Sequence, residues 1–543
     1  MNWRIGVVAV ALALSQSEPQ RIPVEGKVQD ARTGAPISGA QIRLSGTLPG
    51  ETRPATVSGV SGQDGTFRLL AQPAEYTLSV QREGYFGQPL YGIWQSASSR
   101  KIKVTAGQPP PALTFQLTAT GVITGQIVDH NGRPAIRVPV AAMQLRYMEG
   151  RPAIATVNSG TTNERGEYRL FWAPPGDYMV ASNPSPVAVL SPPFITTGNT
   201  RSIQASTYYP GTTDNSKARI VSVASGAEVR NIDFAIQTVP VFTIAGRVDY
   251  PFPPVSPNAT GPIGGLPAFS LLPQESLIPN VLSLSNANSA PMPSRQQGLF
   301  EFRAITPGTY DLLVTVPAMN GQPIQTGRVR VDVGFQDFKD ITIPVQPVFE
   351  LHGRIVPQGI RLPENTVLRL FLTGRTNVPA EVRMGSNGEF RFPNLSAGSY
   401  RLDVMLPDDA FVAGLRSNVF QLPDQAVEPL TLSVHGNAGR ITGTVAPADG
   451  KAGVDTTVVL VPDQPLRENS MLFGTARPDD TGRFSITRVA PGAYKLFAWE
   501  GVLNTAWLNP DFLSRHEAGG IPLTIEAGST KDIRISAERL AAR

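Results

Sequence analysis

One three-part motif occurs five times along the 543 residues, always in the same order, and that recurrence restricts what the chain can fold into. Its first part reads apolar–x–Gly–x–apolar: VEGKV (24–28), ITGQI (123–127), IAGRV (244–248), LHGRI (351–355) and ITGTV (441–445). Apolar residues four apart share one face of a strand. The central glycines, Gly26, Gly125, Gly246, Gly353 and Gly443, predict a bulge or a close backbone approach within that strand. The second part is a turn glycine (Gly65, Gly166, Gly298, Gly388, Gly482) two residues before an aromatic: Phe67, Tyr168, Phe300, Phe390 or Phe484. Two residues further stand Leu69, Leu170, Phe302, Phe392 and Ile486, the period of a half-buried strand. A second turn then delivers Tyr76, Tyr178, Tyr310, Tyr400 and Tyr494. It is written PPGDY, TPGTY, SAGSY and APGAY in the last four copies and PAEY in the first. Pro followed by Gly suits a type II turn. From turn glycine to tyrosine is 11 residues in the first copy and 12 in the others. The expected unit is strand, turn, strand, with one apolar face and every ring in the core. The third part, as in KIKVTAGQPPPALTFQL and IPLTIEAGSTKDIRIS, is two alternating strands around a polar turn, expected to form a terminal pairing.

Successive motif tyrosines are 102, 132, 90 and 94 residues apart, each about the length of one β-sandwich. The expected fold is all-β: five tandem Ig-like or transthyretin-like β-sandwich domains at 21–118, 119–238, 239–346, 347–436 and 437–543. The third is enlarged by a Pro-, Ser- and Asn-rich stretch, about 251–297, expected to be one long loop. One short helix is expected near Asp511 to Ala518, capped by Asn509 or Asp511. The 51 glycines and 50 prolines fit many strands joined by tight turns.

The first twenty residues carry Arg4, an apolar run from Ile5 to Leu14, and small residues at Ala11, Ala13 and Ser15. Ten apolar residues are too few to span a bilayer, which needs roughly 20, so residues 1–20 are expected to be a cleaved signal peptide. No later segment is long and apolar enough to cross a membrane, and the expected signal peptide places the expected location outside the cytoplasm: periplasmic, secreted or cell-surface. Cysteine is absent, so disulfides and thiolate metal sites are excluded. The net charge is only +4 and the basic residues are scattered, which argues against nucleic acid as a partner.

The opening G-x-V strand, the G-x-F turn-strand and the P-G-x-Y turn together resemble the carboxypeptidase regulatory-like domain, a transthyretin-like sandwich, in five copies. In metallocarboxypeptidases this domain accompanies a zinc peptidase domain with an H-x-x-E motif. The four histidines here are His130 in the second copy, His352 and His435 in the fourth and His516 in the last, and none has Glu three residues later. Peptidase activity is therefore not carried over. The collagen-adhesin B-type repeat is a related sandwich that can carry a Lys–Asn isopeptide bond helped by a buried acid. Only Lys27 offers a first-strand lysine, and Val80, Ser182, Val314, Val404 and Ala498 occupy the acid's place, so that bond is not expected.

No nucleophile elbow, P-loop or H-E-x-x-H motif is present. Ser61 in GVSGQDG and the pair Asp479–Asp480 look superficially like a nucleophile and a calcium ligand, but both fit turns better. No catalytic residue, metal site or cofactor is expected, and the chain is expected not to be an enzyme. Aromatics outside the repeat positions stand out: Tyr85, Phe86, Tyr91 and Trp94 in the first copy, Tyr208 and Tyr209 in the second, Trp499, Trp507 and Phe512 in the last. Such rings either cap small cores or stack on sugars. The carbohydrate-binding candidates are Tyr85, Phe86, Tyr91 and Trp94. The expected function is a non-catalytic binding or scaffold protein, with a polysaccharide or an envelope protein as partner. The alternative is a purely structural spacer or stalk in the cell envelope.

Overall fold

The computed structural model describes residues 21–48, 51, 53–87, 89–90, 93–183, 195–197, 200–252, 267–273, 282–284, 298–318, 321–373, 379–423, 428–446, 455–479 and 481–540. The expected signal peptide, Tyr91 and most of the 251–297 stretch lie outside them. The chain divides into two compact units, one ending at Thr120 and one formed from Gly121 onward.

The first unit is a sandwich of two four-stranded sheets. One has the order Thr66–Ala71, Ile22–Asp30, Leu113–Ala119, Tyr85–Phe86; the other Pro54–Val60, Gln41–Thr47, Ala74–Gln81, Ser98–Val104. The opening strand Ile22–Asp30 pairs antiparallel with the aromatic strand Thr66–Ala71 and parallel with the closing strand Leu113–Ala119. Alternating residues of both sheets face inward, so Val24, Val28, Ile42, Leu44, Phe67, Leu69, Tyr76, Leu78, Val80, Phe115 and Leu117 form one core.

The second unit repeats this plan four times, each copy with its own core. The opening strands are Gly121–Val128, Phe242–Asp249, Phe349–Gln358 and Gly439–Ala446. Each lies between an antiparallel aromatic strand (Glu167–Ala173, Leu299–Ile305, Glu389–Leu395, Arg483–Val489) and a parallel closing segment. The facing sheets are built on the tyrosine strands Gly176–Ser182, Gly308–Val316, Gly398–Val404 and Gly492–Glu500. The fold is thus all-β, a tandem series of β-sandwiches.

Pairing corrects two sequence expectations. The strand–turn–strand unit expected to share one apolar face is divided between the two sheets: the turn between the aromatic and tyrosine strands carries the chain from one sheet to the other. The two strands that end each copy do not pair with each other either, because the first joins the tyrosine strand and the second lies parallel to the opening strand. Period-two alternation looks the same in both cases, since it reports which face is buried and not which strand is the neighbour.

The motif positions acquire specific duties. All five tyrosines are buried, and each hydroxyl donates to the backbone carbonyl four residues earlier: Gln72, Pro174, Thr306, Ser396 and Ala490, at 3.1, 2.5, 3.0, 3.0 and 2.8 Å. This is the tyrosine-corner arrangement, which pins the crossing between sheets. Burial pushes the Tyr76, Tyr178, Tyr310 and Tyr494 phenols above their ordinary range.

The strand glycines make the close approach. A β-carbon on Gly26, Gly125, Gly246, Gly353 or Gly443 would collide with the carbonyl of Leu113, Ile232, Ile341, Leu430 or Ile533 on the adjoining parallel segment. The same glycines sit opposite the motif aromatics, and the Phe67, Phe390 and Phe484 rings lie over the vacated space. The bulge lies on the other strand. In copies two to five, two opening-strand steps face three aromatic-strand steps, as in Gly121–Ile123 against Ala173–Leu170. The extra residue is left-handed: Trp172, Ala304, Asn394 and Arg488 have φ between 55° and 61°. The first copy pairs without a shift, which accounts for its spacing of 11 in place of 12.

Within the 251–297 stretch, Ala268–Pro273 is the strand that pairs with the tyrosine strand, and Leu282–Leu284 pairs with it in turn. The stretch is therefore not an uninterrupted loop. The expected helix is present as Pro510–His516, and the Phe512 N–H donates to Asn509 Oδ1 at 2.8 Å, so Asn509 is the cap. With the adjacent turn it covers the outer face of the last copy's second sheet. Trp499, Trp507, Phe512, Phe497, Val459 and Val461 make a second core there. The strand TTVVLVP is accordingly buried along its whole length instead of alternating. Among the described residues no helix is long and apolar enough to cross a membrane.

Candidate functional site

Of the four aromatics singled out in the first copy, Tyr91 lies outside the described residues. Tyr85–Phe86 is a two-residue strand added to the edge of the closing strand, Phe86 opposite Thr118 and Tyr85 opposite Ala119. Tyr85 is half-buried and packs on the core. Ile93–Trp94 pairs with Pro89–Leu90 in a small separate ribbon, with Trp94 half-buried. Four other rings belong to the interior: Tyr208 is buried, and Trp499, Trp507 and Phe512 fill the second core of the last copy. Tyr209 is half-buried, edge-on to Phe234 at 6.3 Å.

The other sequence candidates are structural. Ser61 is buried, donates to the Ile37 carbonyl at 2.7 Å and accepts from the Ala40 N–H at 2.9 Å. Asp479 accepts from the Thr481 and Arg483 N–H groups and the Thr481 hydroxyl, so it organises its own turn. His435 ends a strand and stacks on Phe411, while His516 ends the helix beside Trp499 and Phe512. Among the described residues no group of three His, Cys, Asp or Glu could hold a metal ion.

Two features of the second unit were not legible in the sequence. The first is an exposed aromatic pair, Phe171 and Trp172, 51% and 54% exposed. Both occupy the bulge of the second copy's aromatic strand. The Arg169 guanidinium lies 5.1 Å from the Phe171 ring centre and pairs with Glu228 at 2.8 Å, which Arg230 also contacts at 3.0 Å. The Arg230 hydrogen bond and the charge of Arg169 hold the Glu228 carboxyl below its ordinary range. Regular strand alternation would turn one of two adjacent residues inward. Only the bulge turns both outward.

The second feature is a docked junction. The hairpin tip Glu149–Gly150, between Pro139–Met148 and Arg151–Thr161, reaches both the fourth and fifth copies. Glu149 lies 3.3 Å from Arg401, which also approaches Asp403 at 3.4 Å and covers the Phe371 ring at 4.5 Å. The Asn509 amide donates to the Gly150 carbonyl at 2.8 Å, and Tyr147 meets Phe512 edge-on at 6.3 Å. Gly150 has φ 78°, and a side chain there would strike Leu508, so the tip needs glycine twice over. Fourth and fifth copies are joined by Asn418, whose amide donates to Ser470 Oγ at 2.9 Å and whose Oδ1 accepts from the Ser470 N–H at 3.0 Å. A cleft of about 480 Å³ between them is lined by Arg369, Phe371, Arg401, Asp403, Met471 and Trp507 among others. The Arg401 Nε is buried there without a partner. Burial raises the Asp403 and Glu149 carboxyls above their ordinary range, with Arg401 pulling both back down.

Links in this unit are short. Thr238–Pro240 and Phe242–Asp249 are separated by Val241 alone, Gln346–Pro347 and Phe349–Gln358 by Val348 alone, and Leu430–His435 and Gly439–Ala446 by residues 436–438. The expected boundaries 238 and 346 fall on hydrogen-bonded strand residues.

Residues 23–118 match the carboxypeptidase regulatory-like domain, and the later copies repeat its motifs and strand plan without a peptidase domain in evidence. No curated protein matches the chain. Solved structures with partial similarity include the TIE protein of Bacillus anthracis, at 11% identity over 76% of this chain and 73% of that one, with a TM-score of 0.15. A streptococcal ancillary pilin shares 11% identity over 58% and 98%, TM-score 0.18. Two B repeat units of the Staphylococcus aureus collagen-binding protein share 11% over 70% and 92%, TM-score 0.15. Superpositions at this level carry nothing about function.

Proposed function

We propose that this tandem array, whose first copy is similar to the carboxypeptidase regulatory-like domain, is a non-catalytic scaffold that acts outside the cytoplasm and binds a polysaccharide. The observation that carries the scaffold reading is the junction: the second copy's hairpin tip is hydrogen-bonded and ion-paired to the fourth and fifth, and links of one to three residues leave little freedom to swing. Such a block holds surfaces in fixed relation, which a flexible string of domains cannot do. The repeated polar groups support the non-catalytic reading, because each motif hydroxyl is committed to a corner carbonyl. The location rests on the apolar segment Ile5 to Leu14. Tyr85, Phe86, Tyr91 and Trp94 remain one candidate surface for the polysaccharide, and Phe171 and Trp172 supply another.

Pull-down of the full chain on a panel of insoluble neutral and acidic polysaccharides tests the binding function. Retention on at least one polymer, reversed by the soluble form, is the expected result. A spacer without a ligand is the second reading, favoured by the same short links, and failure to bind any polymer would leave the field to it.

A further inference from the structure

The four bulges offer an internal comparison. The same backbone detour is built with Phe171–Trp172, Arg303–Ala304, Pro393–Asn394 and Thr487–Arg488. Neither the bulge nor its left-handed residue therefore requires a ring. The core does not require these two either, since both are about half exposed. Adjacent exposed rings of this size leave apolar area in water that folding has not removed, and such contiguous patches mark interaction surfaces.

The surroundings specify the chemistry. Phe171 and Trp172 lie opposite Val122, and Val122 is paired on its other side with Glu228, so rings and carboxylate sit at one level across three strands. Arg169 and Arg230 share the single carboxylate of Glu228 and leave a net positive charge beside the rings. Both guanidiniums are well exposed, at 47% and 69%, with further N–H groups free of Glu228. An aromatic face accepts the C–H face of a pyranose, and a guanidinium fork suits a carboxylate. We propose that this face of the second copy binds an acidic, uronate-bearing polysaccharide, with sugar rings on Phe171 and Trp172 and uronate carboxylates on Arg169 and Arg230. The assignment rests on the polysaccharide-binding reading above and names its site and ligand class.

The test titrates the full chain with oligogalacturonate, with oligoalginate, and with neutral dextran oligomers of equal length. The variants are Trp172→Asn, the residue found at the fourth copy's bulge, and Phe171→Thr, the residue found at the fifth's. The acidic oligomers should bind with an affinity that falls as salt rises, and each ring variant should weaken binding roughly tenfold, the size of one lost stacking contact. Melting temperatures should be unchanged. Arg169→Gln should flatten the salt dependence. Undiminished binding in the double ring variant would overturn the site while leaving the polysaccharide function standing, and its loss on Trp94→Ala would move the site to the first copy. Binding of dextran alone would overturn the ligand class. A wild-type chain that binds no polysaccharide at all overturns both readings. Iodide that fails to quench Trp172, judged against Trp172→Asn, would show the ring covered by protein and refute the proposal directly.

Discussion

Replacing Gly443 by alanine adds one methyl group at the point where the last copy's parallel strands come closest. The new carbon would fall inside contact distance of the Ile533 carbonyl oxygen and 3.0 Å from the Phe484 ring. Two effects oppose each other. Alanine restricts the unfolded chain, worth about 0.4–1 kcal/mol in favour of folding where the native geometry accepts it. Overpacking costs about 1–3 kcal/mol, and the upper end applies here because the obstacle is backbone that cannot rotate aside. The net expectation is a loss of about 2 kcal/mol, through separation of Gly439–Ala446 from Thr530–Ser536. Urea unfolding of the full chain, followed by Trp499 and Trp507 emission, reads this directly, since both indoles are buried in the same copy. With a slope of about 2 kcal/mol per molar urea, the midpoint should fall by about 1 M. Gly528→Ala is the control: φ is 67° but nothing lies within 4 Å, so only the left-handed strain of about 1 kcal/mol should appear. A neutral or stabilising Gly443→Ala would refute the close-approach argument and the strand register with it.

Tyr494→Phe should cost about 1–2 kcal/mol by the same assay, because it strands the buried Ala490 carbonyl while keeping the ring; a change below about 0.3 kcal/mol would show that the corner bond adds nothing. Glu517 is gripped by Arg467 at 2.8 and 2.9 Å and by Lys495 at 2.5 Å, chiefly the Arg467 hydrogen bonds holding its carboxyl down to about 2. A depressed carboxyl gives stability present above its unfolded value near 4.5 and lost as pH falls toward 2. Discounted for partial exposure, this is about 1–2 kcal/mol, so Glu517→Gln should be destabilised at pH 7 and indistinguishable from wild type at pH 2; an equal deficit at both would remove the electrostatic account. Limited proteolysis bears on the proposed domain division near 118, 238, 346 and 436: first cuts are expected within 251–297, on its Pro-, Ser- and Asn-rich composition, and first cuts at Val241 or Val348 would contradict the hydrogen-bonded links.

The strand glycines left a bulge and a close approach open, but copy number, strand periodicity, the ring positions and the short helix at Pro510–His516 were determined by the sequence alone. Each depends on side chains within a few residues of one another, where a two-residue or helical period has a single physical meaning. What only the tertiary structure decided are the pairings and exposures. Alternation cannot tell a hairpin from a corner, so the tyrosine turn became a sheet-to-sheet crossing held by the hydroxyl-to-carbonyl bond. A one-residue difference in spacing had no structural meaning until the register shift showed it to be a bulge. Whether Trp499, Trp507 and Phe512 cap a core or face a ligand stayed open in the sequence because no local pattern announces that a helix will lie across the outer face of a sheet. Phe171 and Trp172 drew no attention in the sequence because no local pattern announces a residue with positive φ. The docking of Glu149 and Gly150 against residues some 250 and 360 positions away in sequence, Arg401 and Asn509, is a property of whole copies meeting, and nothing in MEGR by itself encodes it.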